Sequence, residues 1–224
     1  MPKHSYQDRY CAFIDFLGFA NAVNNGEWTP DQVISAMQKA RKVSGGDEDL
    51  IQVTQFSDSI VLSAEASNDW AFLTILSTSM FLIMELAAHG ILLRGGITRG
   101  DLFHEENFAF GPAFIRAYRL EQAAGTPRII IDTKIEEKAI WPDSMNKKEI
   151  RGFLENSIPK DFDGWRFVDY FSESLTTDFD EGPEGLKSHH ERLRKLVTKH
   201  KNSTEPSLVS KYGWLDAKLK AVKA

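Results

Sequence analysis

Cysteine is almost missing from this sequence. Cys11 stands alone among 224 residues, so no disulfide can form within the chain, and a reducing compartment, the cytoplasm, is the expectation. No uninterrupted apolar run reaches the roughly 20 residues that span a bilayer. The most apolar stretch, Trp70 to Met84, lies between Asp69 and Glu85 and carries Thr74, Ser77, Thr78 and Ser79, which predicts a buried helix of a soluble protein. The opening MPKHSYQDRY is polar and lacks the apolar segment of a signal peptide. A surplus of positive charge is also lacking. With 27 Lys and Arg against 32 Asp and Glu, no global field attracts nucleic acid or a membrane surface. An anionic substrate would need local help from metal ions or a few arginines. There is no H-E-x-x-H, no C-x-x-C and no P-loop.

What is present suits one sizeable core with a helical extension, since 42% of the residues are hydrophobic and 26% charged. Tyr10–Leu17 reads as a strand broken only by Asp15, and Gly18 ends it. A helix follows, interrupted at Asn24-Asn25-Gly26 and resumed after Thr29-Pro30. Ser44 to Asp47 reads as a loop. Leu50–Gln55 and Ser59–Ala64 read as a hairpin with Phe56-Ser57-Asp58 at its tip. Ser67 is expected to cap a helix that runs to about Ala88. Ile91–Leu102 reads as a strand, His104–Asn107 as a polar loop, Pro112–Ala124 as a helix and Arg128–Asp132 as a short strand. The resulting order, β-α-β-β-α-β-α-β, predicts an α+β fold with a ferredoxin-like βαββαβ core, its antiparallel sheet carrying helices on one face. Beyond it, Gly164–Phe171 suggests a strand and Asp178–Gly185 a linker. Leu186–Lys201 and Ser207–Val222 suggest C-terminal helices. The division expected is residues 1–172 as the main domain and 173–224 as linker and helical extension. Adjacent His189 and His190 point to different helix faces, and a solvated helix is expected there rather than a metal site.

Two carboxylates carry the functional reading. Asp15 interrupts an apolar strand, and Asp58 sits at a hairpin tip that would pair beside it. A carboxylate among apolar neighbours is costly unless compensated, and a divalent cation sharing substrate phosphate oxygens would compensate both. The alternative is that Asp15 caps a helix start and Asp58 is a turn residue. Gly18, three residues after Asp15 and before a helix, permits close phosphate approach. Arg94 lies in the strand LLRGGITRG, and Arg116 and Arg119 share a helix face. Arginine suits phosphate, although pairing with Glu121 or Asp101 would also account for these residues.

Four segments resemble motifs of one family. Phe13-Ile14-Asp15-Phe16-Leu17-Gly18-Phe19 resembles the F-x-D-I-x-G-F opening of class III nucleotidyl cyclase catalytic domains. Gln55-Phe56-Ser57-Asp58-Ser59 is similar to their hairpin I-G-D segment, and Arg94-Gly95-Gly96-Ile97-Thr98-Arg99-Gly100 to their R-x-G-I-x-x-G strand. Phe110-Gly111-Pro112 through Arg119-Leu120-Glu121 is similar to their W-G-x-x-V-N-x-A-x-R-L helix. The blocks follow family order across residues 10–132. The resemblance implies that Asp15, Asp58 and the Phe16 carbonyl hold two Mg²⁺ or Mn²⁺ ions. It implies that Arg119 stabilises the transferred phosphoryl, that Arg94 supports the phosphates, and that two protomers form a homodimer with composite sites.

Two departures from the family pattern shape the rest. Ile115 stands where the family carries an asparagine, and Arg116 or Tyr118 would have to take its place. Thr54 and Phe108 stand where adenylate cyclases carry Lys and Asp, and guanylate cyclases Glu and a small residue. A phenylalanine there favours a smaller base. The chain thereby resembles the pyrimidine cyclases of bacterial Pycsar anti-phage systems. That resemblance implies UTP or CTP as substrate and cyclic UMP or cyclic CMP as product, acting on a separate effector, with neither nucleic acid nor direct membrane insertion involved. The alternatives are a purine cyclase, or a degenerate cyclase-like domain that binds without turnover.

Overall fold

The computed structural model of the protein describes residues 4–44, 50–172 and 182–222. The elements run β1 (Gln7–Phe16), α1 (Phe19–Asn24), α2 (Pro30–Ser44), β2 (Gln52–Phe56), β3 (Ser59–Glu65), α3 (Ala71–Ala88), β4 (Leu93–Glu105), β5 (Phe108–Phe110), α4 (Pro112–Ala124), β6 (Ile129–Ile131), α5 (Thr133–Lys138), α6 (Lys147–Asn156), β7 (Arg166–Phe167), α7 (Gly182–His200) and α8 (Pro206–Ala221). One sheet orders its strands β2-β3-β1-β4-β6-β7, with β5 folded back on β4. The first four strands are mutually antiparallel and adopt the ferredoxin-like order. β6 then joins β4 in parallel, the pairing that requires the helical crossover supplied by α4.

β1 reads as an almost unbroken apolar run because both of its faces are covered. Tyr10, Ala12, Ile14 and Phe16 enter the main core with α3, α7 and α8, and the Tyr10 ring stacks on Phe72 at 5.3 Å. Cys11 and Phe13 face the other way, under α4, where Phe13 meets Phe114 and Tyr118 edge to face. The helices thus divide between two faces. α2 and α3 lie together as the ferredoxin-like pattern predicts, and α4 covers the opposite side. α4 lies flush on β4, since a Cβ at Gly96 would fall 2.3 Å from the Leu120 Cβ and 2.6 Å from the Ala117 carbonyl. α3 is long and apolar enough to cross a membrane by length and composition, but two-thirds of it is buried inside the protein.

The C-terminal helices share this core. Leu193, Trp214, Leu215 and Leu219 are buried in it. α8 is further held by the buried Asp161, which accepts from Trp214 Nε1 at 2.8 Å, pairs with Lys218 at 2.8 Å and with Arg128 at 2.6 Å. Arg128 and Asp161 are 2% and 3% exposed. Each has a further partner, Lys218 for Asp161 and Asp163 for Arg128, so the four side chains form a network rather than an isolated pair.

Several local expectations are corrected. Ser67 does not cap α3; Trp70 holds the N-cap position, and the Asn68 side chain accepts its N–H. His104 and Glu105 continue β4 rather than forming a loop. The strand expected over 164–171 is only Arg166–Phe167. His189 and His190 are buried, not solvated, and His190 Nε2 lies 2.9 Å from the Phe171 carbonyl. Of the expected linker over 178–185, the first four residues lie outside the described residues and Gly182 already begins α7. Most of the loop expected over 44–47 also lies outside them.

Candidate functional site

The ends of β1, β3 and β4 converge. Asp15 registers against Ser59 on one side and Arg94 on the other. The β2–β3 turn is tight, with Ser57 at φ +53°, and the Asp58 carbonyl accepts from the Phe16 N–H at 2.9 Å. That bond locks the turn beside the end of β1, so the two aspartates predicted as a pair are brought together. Burial, followed by the nearby Glu121 and Asp58 carboxylates, pushes the Asp15 carboxyl up to about 6; Arg94 and a hydrogen bond with Ser59 oppose this without cancelling it. Asp15 is therefore a half-buried anion lacking full compensation, the condition a bound cation relieves. Among the described residues no group of three or more His, Cys, Asp or Glu side chains could hold an ion alone. Oxygens from the main chain and from a substrate would have to complete the shell, as suits Mg²⁺ or Mn²⁺ in nucleotide sites.

Arg94 is committed to Glu121 of α4. Its Nε donates to Glu121 Oε1 at 2.5 Å, and Glu121 is 1% exposed. The pairing with Glu121 weighed from the sequence is thus present. Arg116 also has a structural partner, forming a bidentate pair with the buried Asp132 that Thr98 joins. This leaves Arg116 poorly placed to take the role of the missing asparagine. Arg119 is exposed on α4 and makes no hydrogen bond or ion pair among the described residues. Beside it Ile115 and Tyr118 are 51% and 46% exposed.

Gly18 takes the left-handed conformation at φ +82°, opening α1, where a side chain would be strained. Lys211 of α8 reaches this turn and donates from Nζ to the Leu17 carbonyl at 3.3 Å. Burial, then Arg94, pulls its pKa down to about 8.

Thr54 is buried within a chain of hydrogen bonds. Its hydroxyl lies 2.9 Å from His104 Nε2 and 3.0 Å from the Glu106 carbonyl, while His104 Nδ1 lies 2.7 Å from the Ser63 hydroxyl, which accepts from Arg9 Nε at 2.9 Å. The chain closes in one direction. Arg9 donates to Ser63, Ser63 to His104, His104 to Thr54 and Thr54 to Glu106. Burial and Arg9 hold His104 neutral, with its pKa lowered to about 4. Thr54 lines a cleft of about 240 Å³ with Met37, Val53, Gln55, Ser57 and Asn107, and Gln55 Nε2 is buried without a partner among the described residues. Phe108 lies on the short β5 and is 64% exposed.

Lys211 and His104 were missed by sequence reasoning; Glu121 was named, as an arginine partner. Lys211 meets Leu17 across 194 residues, a proximity that only the fold creates.

No protein-family model matches the sequence, and no curated protein is significantly similar to it. Solved structures are. The adenylyl cyclase CyaB from P. aeruginosa is similar with a TM-score of 0.53 at 14% identity, over 73% of this chain and 95% of that one. The guanylate cyclase domain of RhGC from Catenaria anguillulae in complex with GTP gives 0.49 at 11% identity over 74% and 98%. Adenylate cyclases from Trypanosoma brucei in their monomeric state give 0.47 at 15% over 67% and 80%. The first of these likenesses establishes the fold as that of a cyclase catalytic domain.

Proposed function

We propose that the protein is a nucleotidyl cyclase, converting a pyrimidine nucleoside triphosphate into the 3′,5′-cyclic mononucleotide and pyrophosphate as a symmetric dimer. The observation that carries this reading is the undercompensated Asp15 beside Asp58, at the end of β1 in a cyclase-like fold. Two Mg²⁺ or Mn²⁺ ions held by Asp15, Asp58 and the Phe16 carbonyl would acidify the ribose 3′-hydroxyl and neutralise the triphosphate. The 3′-oxygen bonds to the α-phosphorus, the bond from that phosphorus to the oxygen bridging the β-phosphate breaks, and the hydroxyl proton passes to solvent.

The protein's own residues position and stabilise. Gly18 lets the main chain approach the phosphates, and Arg94 supports them. Arg119, exposed and without a side-chain partner among the described residues, stabilises the charge on the transferred phosphoryl of the site completed by a second copy. The exposed Ile115 and Tyr118 beside it suit burial in that contact.

For the base, the Thr54 proton is already committed to Glu106, so Thr54 meets a base edge as an acceptor, able to receive uracil N3–H or a cytosine amino proton. Phe108, exposed on β5, is assigned the space of a second ring on the sequence resemblance. Neither purine code is present in the sequence. UTP is proposed ahead of CTP, and the product as an anti-phage signal acting on a separate effector; both rest on the sequence resemblance. Ile115 in place of asparagine favours a second reading, a cyclase-like domain that binds nucleotide without turnover.

One experiment separates them. Purified protein is incubated with ATP, GTP, CTP and UTP in turn with Mn²⁺, and products are identified by mass spectrometry. Cyclic UMP or cyclic CMP supports the proposal. Cyclic AMP or cyclic GMP as main product keeps the cyclase and removes the pyrimidine assignment. No cyclic product from any of the four leaves the second reading.

A further inference from the structure

The structure assigns to Lys211 a function that the motifs do not supply. We propose that it binds the polyphosphate of the substrate, so that α8 completes the nucleotide site from the same protomer as Asp15. The proposal rests on the nucleotide-site reading above and adds a ligand to it.

Three observations converge. Lys211 Nζ lies 3.3 Å from the Leu17 carbonyl and 3.6 Å from where a Cβ on Gly18 would sit. It therefore stands over the bare turn that follows Asp15. It is half-buried and makes no ion pair among the described residues; its Nζ lies 5.4 Å from the centre of the Tyr212 ring, Glu205 acts on it at longer range, and Arg94, itself paired with Glu121, is a second cation within electrostatic reach. An ammonium carries three donors, and one is used here. A half-buried cation near another cation is costly until an anion arrives; a polyphosphate at the Gly18 turn would meet both.

The support beneath Lys211 is rigid, as a positioning role requires. Tyr212 stacks on His200 with centroids 4.2 Å apart and planes 6° from parallel. Trp214, Leu215 and Leu219 are buried, and Asp161 holds the following turns through Trp214 and Lys218. The C-terminal extension is thereby part of the site.

A purely structural role, securing the Leu17 carbonyl, makes a different prediction. Lys211→Gln retains a donor for that carbonyl and loses the charge; Lys211→Arg retains the charge. On the full chain, binding of inorganic tripolyphosphate is measured calorimetrically without added metal, and KM and kcat are measured for the triphosphate that turns over. The expected result for Lys211→Gln is roughly tenfold weaker tripolyphosphate binding and a roughly tenfold higher KM, with kcat within about twofold and the thermal midpoint unchanged. Lys211→Arg should recover most of both. Binding and KM at wild-type levels in Lys211→Gln overturn the proposal, as does a fall in thermal midpoint with no loss of tripolyphosphate affinity. If the wild type binds tripolyphosphate through Lys211 yet cyclises no nucleotide, Lys211 stands and the cyclase reading falls. If it cyclises and Lys211→Gln matches it in both measurements, the Lys211 proposal falls alone.

Discussion

Arg94 of β4 and Glu121 of α4 form an ion pair in which the carboxylate is 1% exposed and the guanidinium lies at the rim of the candidate site. Gln122 donates to the second Glu121 oxygen at 2.6 Å. Arg94→Ala is therefore expected to destabilise the fold by about 3 kcal/mol, because it leaves a buried carboxylate unpaired. The double substitution Arg94→Ala/Glu121→Gln should recover more than half of that loss in urea denaturation. A single mutant as stable as the wild type contradicts this account of the pair.

Asp15 gives a stability signature independent of turnover. Its folded-state pKa, about 6, lies above the ordinary 3.8, so the folded state holds the proton more tightly than the unfolded chain does. Stability of the metal-free protein on this account is greatest near pH 4 and declines as pH rises to 6, where the full cost of the anion is reached. Asp15→Asn should be more stable than wild type by about 1 kcal/mol at pH 7, the shift being discounted for partial solvent screening. The difference should vanish near pH 4, while cyclisation is abolished at every pH. Melting curves with chelator present measure it.

Acid acts oppositely through two histidines. Burial lowers the pKa of His104 to about 4 and of His189 to about 3, from 6.5. Here the unfolded chain binds protons first, so stability is complete above pH 6.5 and is lost as pH falls from there toward 4. His104→Gln should remove part of the acid sensitivity, of order 3 kcal/mol for a shift of this size. An unchanged slope of stability against pH over that window rules the histidine out as its source.

The proposed composite site predicts complementation. Asp58→Ala and Arg119→Ala should each abolish cyclisation as homodimers. A mixed dimer holds one site with both residues intact, so an equimolar, fully exchanged mixture should regain about a quarter of wild-type activity. Silence from dimers shown to be mixed counts against the shared site.

Phe108→Ala should admit purines. The expected outcome is at least a tenfold gain in kcat/KM for ATP or GTP relative to UTP, in direct competition. A variant with unchanged selectivity would place the base away from β5.

Much of the fold was legible because local and tertiary signals agreed. α4 was bounded at Pro112 and Ala124 by the proline at its first turn and the glycine after its last, and the structure keeps both limits. β1 was visible through its continuous apolar run, and Asp15 through its interruption of that run. α6 was missed because it buries no side chain completely, although Asn146 and Glu149 form a capping box at its start. β7 was overextended because the aromatics of Gly164–Phe171 pack beside Trp214 and α7 rather than in a ladder. At the site, the Asp15–Asp58 proximity followed from strand order. The Thr54 hydrogen-bond chain did not, because it depends on the β4–β5 hairpin bringing Glu106 back over β2.

The absent side chain at Gly96 makes α4 and the central strand a single stiff lever. With the Ala117 carbonyl, the Leu120 Cβ and the Glu121 nitrogen resting directly on β4, α4 has no cushion of rotatable atoms through which to slide. In the proposed assembly the Arg119 backbone then moves relative to the opposite carboxylates with its whole protomer, and only the exposed side chain adjusts on its own. A switch acting on such an assembly would act on the angle between two bodies.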